Sequence, residues 1–352
     1  MRWLLLLLWF SVARAAVADL NILRDNSAGF SRAAEPRTFE FPRDHGSHPE
    51  FHHEWWYVTG NLDSDTGERL GFELTIFRVG LVPPAVPIPV GSAWRTREIY
   101  AAHFAITDPA RHRFKFTEQY SRGALGLAGA AAEPFRVWLN DWELGSKIIH
   151  ARGQGYELTL DVGSLGDPVL NGDHGLSRKS AEPGEATYYY SIPRIAVQGK
   201  LIRDGVSTNV QGLAWLDREW GSGSFGAGER GWDWFALQLQ DGSALMFYSL
   251  RNADGSRNSN SSGTWVDANG HSRMLAADQV LIDVSDYWTS PRGGRYPSRW
   301  RVRVPSTGVD VEVRPVLADQ ELETRPRYWE GAVDLRGSHS GRGYVELVGY
   351  GE

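Results

Sequence analysis

Cysteine is missing from all 352 residues. Its absence excludes a disulfide framework, a thiolate nucleophile, a Cys-ligated metal and a lipidated N-terminal Cys. A basic block is missing too: 37 Lys and Arg are dispersed among 43 Asp and Glu, for a formal net charge of −6. That argues against a nucleic-acid partner. No window longer than about ten residues keeps a helical period, so helices contribute little. There is no G-x-S-x-G elbow, P-loop, dinucleotide fingerprint or H-E-x-x-H. The expected cofactor complement is therefore none, and so is the expected metal set. Beyond the leader described next, no apolar stretch is long enough for a transmembrane helix.

The N-terminus reads as a targeting segment. Arg2 is a short basic region, Trp3 to Val12 is a ten-residue apolar run, and Ala13-Arg14-Ala15 and Ala16-Val17-Ala18 are both A-x-A cleavage sites. Residues 1–18 are read as a signal peptide, with cleavage after Ala15 or Ala18, and the protein is expected to be periplasmic or secreted. Residues 19–38 show no clear period and form a loose lead-in.

After that the dominant period is two. Phe72, Leu74 and Ile76 alternate with Glu73 and Thr75; Tyr156, Leu158 and Leu160 with Glu157 and Thr159; Trp300 and Val302 with Arg299, Arg301 and Arg303; Val309, Val311 and Val313 with Asp310 and Glu312. A pleated strand sends successive side chains to opposite faces, so these are half-buried strands. Asp204-Gly205, Asp241-Gly242 and Asn269-Gly270 carry the chemistry of tight hairpins. Ala124 to Glu133 is Ala-rich but broken by glycines, which favours a loop. Gly166 to Gly184 is a long irregular stretch, the kind that often forms a lid or binding loop.

Tryptophan is abundant: 15 residues, with 13 Tyr and 14 Phe. Either they fill large cores or they line a cleft. An internal repeat organises them. Trp56-Tyr57-Val58, a turn and Gly71 to Arg78 are echoed by Trp234-Phe235-Ala236, Asp241-Gly242 and Ala244 to Arg251. The repeat predicts two tandem antiparallel barrels.

Three clusters carry candidate chemistry. The first is His52-His53-Glu54-Trp55-Trp56, with His45, His48 and Glu50 just before it. Its spacing fits no familiar zinc site, and adjacent His52 and His53 point to opposite faces of an extended segment. Structural hydrogen bonding and a role in binding or proton transfer both remain open. The second is Asp217-Arg218-Glu219-Trp220. Asp217 or Glu219 could be a general acid if burial raised its pKa, or all three charges could form an ion-pair network. The third comprises Trp232-Asp233-Trp234 and Tyr328-Trp329-Glu330, read either as aromatic core or as the lining of a cleft with carboxylates that orient a ligand.

With the C-terminal Gly343-Tyr344-Val345-Glu346-Leu347-Val348-Gly349-Tyr350, these motifs resemble the AttH-like family, which also contains the carotenoid 1,2-hydratases. The resemblance covers roughly residues 39 to 352. It implies two lipocalin-like barrels, 39–197 and 198–352, with any pocket between them. Family members include hydratases of isoprenoid alkenes, related fungal hydratases and Diels–Alder-type cyclases, and many bacterial members are exported proteins associated with ABC export permeases. The carotenoid hydratases carry a His-x-Trp where this chain has Arg218-Glu219-Trp220; the Trp matches and the His does not. The resemblance thus implies an exported protein that binds a hydrophobic small molecule and has an ABC permease as partner, or a cofactor-free hydratase, isomerase or cyclase of a polyene. Asp217, Arg218, Glu219, Glu54 and His53 are the expected catalytic set. Trp55, Trp56, Trp220, Trp232, Asp233, Trp234, Tyr328, Trp329 and Glu330 are the expected ligand contacts. An interaction module of the cell envelope is the third expectation.

Overall fold

The protein is described by a computed structural model that covers residues 27–88, 91–223 and 229–351. The expected signal peptide and the first part of the lead-in lie outside the described residues. Among the described residues twenty-three strands carry the fold. In the first sheet they are β1 (His53–Ser64), β2 (Arg69–Gly80), β3 (Glu98–Asp108), β4 (Arg113–Arg122), β5 (Ala128–Ala132), β6 (Phe135–Leu139), β7 (Trp142–Gly145), β8 (Ile148–Gly153), β9 (Tyr156–Val162), the short β10 (Val169–Leu170) and β11 (Leu176–Arg178), and the long β12 (Ala186–Arg203) and β13 (Val206–Gly221). The second sheet holds β14 (Glu229–Leu239), β15 (Ala244–Asn252), β16 (Ser262–Val266), β17 (Ser272–Ala276), β18 (Leu281–Thr289), β19 (Arg295–Val304), β20 (Val309–Pro315), β21 (Glu321–Leu322), β22 (Tyr328–Gly337) and β23 (Gly341–Val348). Among the described residues no helix is long and apolar enough to cross a membrane.

The two sheets thread alike. The first strand of each lies between its hairpin partner and the last strand, in the orders β2-β1-β13-β12 and β15-β14-β23-β22. The repeat seen in the sequence is thus a repeat of topology, and both sheets curl around their own cores into barrel-like halves. The change of sheet falls between Gly221 and Glu229, later than the expected division after residue 197. The reason is the Asp204-Gly205 hairpin: both residues adopt left-handed φ, and β12 and β13 pair along almost their full lengths, so they stay together in the first sheet.

Two smaller expectations also change. Ala128–Ala132 is a short strand paired with β6 rather than a loop, because alanine methyls fit a narrow hairpin. The end of the lead-in is docked, not loose: Ala33 is fully buried, and Arg37 pairs with Asp44 at 3.0 Å while its guanidinium lies over Trp220.

Each barrel has an aliphatic and aromatic interior. Trp56, Val58, Phe72, Leu74 and Ile76 fill the first. Phe235, Phe247, Trp300, Trp329 and Val333 fill the second. A third apolar cluster lies between the barrels, where Tyr57, Tyr189, Trp215 and Trp234 meet Met246, Tyr248 and Tyr344. Strands β1, β13, β14 and β22 are therefore buried on both faces: one side chain enters a barrel and the next enters the seam. Hydrogen bonds lock the seam, among them Trp234 Nε1 to Tyr189 Oη at 3.0 Å and Gln238 Nε2 to the Pro193 carbonyl at 2.7 Å. The approach is close at Gly71, where a Cβ would lie 2.6 Å from Tyr344 Oη and 2.8 Å from Ala332 Cβ.

Candidate active site

Strand register decides which expected residues meet. On β1 and β13 the paired residues are Glu54 with Trp220, Trp55 with Glu219, Trp56 with Arg218 and Tyr57 with Asp217. Directly opposed residues share a face and successive pairs alternate. Glu54, Trp56, Arg218 and Trp220 therefore enter the first barrel. Trp55, Tyr57, Asp217 and Glu219 face the seam. In the second barrel Trp232, Trp234, Tyr328 and Glu330 face the seam by the same alternation, and Asp233 and Trp329 do not.

The seam-facing set encloses a cavity of about 120 Å³. That is close to the roughly 150 Å³ of an engineered apolar cavity that takes up benzene, and below the roughly 300 Å³ of a common small-molecule pocket. The space suits a single ring or a short branched chain. The walls are aromatic: Trp55, Tyr57, Phe77 and Tyr189 from the first barrel, Trp232, Trp234, Tyr248 and Tyr328 from the second. Four carboxyl groups, Asp217, Glu219, Glu330 and Glu346, break that apolar surface, with one ammonium, Lys179.

Each carboxyl has a distinct setting. Asp217 accepts hydrogen bonds from Tyr189, from Ser191 and from Trp215 Nε1, the last at 2.7 Å. Burial pushes its pKa up to about 7, against the pull of those three donors. Glu219 is held by Thr187 and by Lys179 Nζ at 2.8 Å. Lys179 also reaches Ser177 Oγ at 3.1 Å and lies 4.3 Å from the centre of the Tyr248 ring. Burial opposes its charge, but Glu219 together with Tyr248 and Glu229 outweighs burial and the Lys179 pKa rises. Glu346 accepts from Trp232 Nε1 at 3.1 Å, and burial lifts its pKa to about 7. Glu330 accepts from Tyr57 Oη at 2.6 Å, while its Oε2 has no hydrogen-bond partner among the described residues. Burial, then the neighbouring Glu346 and Glu73, push the Glu330 pKa well above the usual carboxylate range. Burial thus favours the neutral form of Glu330, and its second oxygen is left without a hydrogen-bond partner among the described residues.

The remaining expected site residues are corrected by the register. Glu54 is fully buried between Arg78 and Arg218 and accepts the His48 amide N–H at 3.0 Å. Burial works to raise its pKa, but Arg218 and Arg78 overcome burial and hold it far below the usual range. It is a permanent anion at the centre of an ion-pair hub. Arg218 lies 4.0 Å from the Trp56 ring centre, and Trp220 stacks on His48 with ring centres 3.9 Å apart. Trp56 donates from Nε1 to the His45 carbonyl at 2.9 Å. These residues brace the first barrel and do not line the cavity. Asp233 pairs with Arg251 and accepts from Tyr350 at 3.0 Å, and Trp329 donates to the Ala318 carbonyl at 2.9 Å. Both brace the second barrel. His53 lies beyond the cavity lining, with its ring parallel to that of Trp55 at 5.8 Å. Burial, with the charges of His52 and Arg78, drives its pKa to about 3 and keeps it neutral. Among the described residues no group of three or more His, Asp and Glu is placed to hold a metal.

Several cavity residues escaped the sequence reading, among them Lys179, Tyr189 and Glu346. Lys179 sits in the irregular stretch 166–184, where the sequence points to a lid or binding loop but to no particular residue. Glu346 lies on β23 opposite Glu330, in the C-terminal motif Gly343 to Tyr350. Two acids facing each other across paired strands become visible only once register is known.

Comparison with known proteins fits this architecture. A family model described as AttH-like matches residues 32–350. A search of curated proteins gives no match. Among solved structures, one described as an AttH from Nitrosomonas europaea is 34% identical with a TM-score of 0.81, covering 91% of this chain and 100% of that one. Kievitone hydratase from Nectria haematococca matches with 15% identity and a TM-score of 0.66, over 92% of this chain and 96% of that one. CghA, solved with Sch210972, matches with 13% identity and a TM-score of 0.51, over 92% and 97%. The last two show a shared fold.

Proposed function

The chain belongs to the AttH-like family, and within that family we propose that it adds water across an electron-rich carbon–carbon double bond of a hydrophobic molecule. The unsaturated end of that molecule would occupy the cavity between the barrels. One observation carries the proposal. Glu330 is a buried carboxyl group on the lining of an aromatic cavity, its neutral form favoured by burial and one of its oxygens without a hydrogen-bond partner among the described residues.

Hydration needs an acid, a cation-tolerant site and a place for the proton to return. Glu330 gives its proton to one alkene carbon. The π pair becomes the new C–H bond, the adjacent carbon becomes cationic, and Glu330 becomes a carboxylate. Aromatic faces stabilise the cation through their ring quadrupoles. Water adds through an oxygen lone pair, and its extra proton passes to a carboxylate. Asp217, with a pKa near 7, is suited to take it, and the cycle closes when Asp217 releases that proton to solvent and Glu330 takes one up. Two carboxyl groups pushed to different pKa values within one pocket is the pattern expected of an acid and a base. Glu219 is a poor acid, because Lys179 and Thr187 already occupy it. The kievitone hydratase likeness supports this reading at the level of the fold.

A second reading is carriage without turnover, by an exported protein that serves an ABC export system. The leader-like residues 1–18 favour it. One experiment addresses both. The protein is incubated with a panel of branched terminal alkenes in ¹⁸O-labelled water, with Trp fluorescence followed in parallel. Label in an alcohol product, lost in Glu330→Gln, supports hydration. A fluorescence response without label supports carriage, and silence in both refutes each. Recovery of the protein in the periplasmic fraction, with residues 1–18 removed, tests export.

A further inference from the structure

We propose that the cavity between the barrels is a receptor for small organic ammonium ions, and that it exchanges a proton for the guest. The inference deepens the hydration reading, since both place a positive charge in the same space. It stands on four observations. The cavity is the size of one compact group, about 120 Å³. Its walls are built of aromatic side chains, whose ring faces attract cations most strongly where water is excluded. Its four carboxyl groups outnumber its one ammonium, and Lys179 is already committed to Glu219. Glu330 belongs to the cavity lining, is fully buried, and has one oxygen with no partner among the described residues.

Charge balance then requires proton exchange. Fully ionised, Asp217, Glu219, Glu330 and Glu346 would leave uncompensated negative charge in a buried space, so the unpaired acids hold protons. A cation that enters restores the balance when one acid ionises. One proton leaves to solvent for each guest bound, and no covalent bond changes. The other titratable groups facing the space are Tyr57, Tyr189, Tyr248 and Tyr328. Burial raises the pKa of Tyr57, Tyr189 and Tyr328, so they remain neutral hydrogen-bond donors. Behind the wall, Glu73 is buried with its pKa raised to about 8, and His103 bonds Tyr328 Oη at 2.7 Å. Neither Glu73 nor His103 is among the residues that line the cavity. Asp217 and Glu346, both near 7, are the acids that yield the proton most readily.

The test is calorimetry on the full chain at constant ionic strength. The guests are choline and its uncharged isostere 3,3-dimethyl-1-butanol. Choline is expected to bind at least about tenfold more tightly than the alcohol. Its affinity should rise between pH 5.5 and 8. Comparison of heats in phosphate and Tris at pH 6 should show about one proton released per guest. Glu330→Gln should weaken choline binding. Equal affinity for the two guests, binding without proton release, or no saturable binding at millimolar choline would each overturn the proposal. The comparison of guests needs only the unmodified protein, so it survives a variant that fails to fold. No alkene is involved, so a failed hydration assay leaves this result standing.

Discussion

Replacing Glu54 by Gln tests whether the carboxylate at the centre of the first motif is scaffold or machinery. The substitution keeps shape but removes the negative charge between two buried guanidinium groups. Breaking a buried ion pair from one side costs about 3–5 kcal/mol. Arg78 keeps Glu98 at 3.2 Å and the carbonyls of His48 and Phe51 at 2.9 and 2.7 Å, which points to the lower end. Arg218 keeps only carbonyls and a histidine, with Glu54 its one carboxylate among the described residues. A loss of about 3 kcal/mol, at about 2–4 °C per kcal/mol for a domain of this size, lowers Tm by about 6–12 °C. The pH dependence has a definite sign. The folded pKa is depressed, so the stabilisation is present above the unfolded value of about 4.3 and is lost as pH falls toward the folded value. The variant should therefore show a shallower acid limb than the parent. The assay is circular-dichroism melting from pH 2.5 to 8, with alkene or choline binding measured at 15 °C, where the variant is still folded. An unchanged Tm with abolished binding would refute the scaffold assignment.

Further outcomes follow from the same geometry. Glu330→Gln should reduce hydration by about 10²–10⁴-fold while melting at or above the parent temperature, measured by product formation and calorimetric scans. Asp217 has the opposite pH signature to Glu54. Its folded pKa is raised, so stability falls as pH climbs from about 3.9 to about 7 and levels off above; Asp217→Asn should remove that slope and raise Tm at pH 8. Trp329→Ala should cost about 3–5 kcal/mol in denaturant titrations, because it empties the second barrel. Its binding of cavity guests, measured on the folded variant, should be unchanged. Trp232→Ala should do the reverse, with a small change in Tm and loss of the fluorescence response to a guest.

The fold was legible because period-two patterning is a local property. Phe72 to Ile76, Tyr156 to Val162 and Val309 to Val313 are strands, and the Asp-Gly and Asn-Gly pairs turn between strands. The site was legible only by half. Every motif that drew attention is a seam strand buried on both faces, so each contained site and scaffold residues in alternation. Composition could not separate them. The repeat was found, but Trp56 was matched to Trp234, one residue out of step in facing. Trp56 enters its barrel, whereas Trp234 faces the cavity, where its counterparts are Trp55 and Tyr57. A slip of one residue exchanges the two faces of a strand. Lys179 gave no signal, because its role depends on a loop meeting the second barrel across a long sequence separation.

Strands with two working faces also constrain how such a protein can change. An insertion or deletion of one residue within β1 or β13 would send tryptophans built for the barrel into the cavity and carboxylates built for the cavity into the barrel. Both faces would fail together. A substitution at position 55, 57, 217, 219, 232, 234, 328 or 330 alters the seam face and leaves strand register intact. The seam face can thus change one side chain at a time along fixed strands. Changes in length are confined to the connections outside them, such as the proline-rich 81–97 segment and the arm that delivers Lys179.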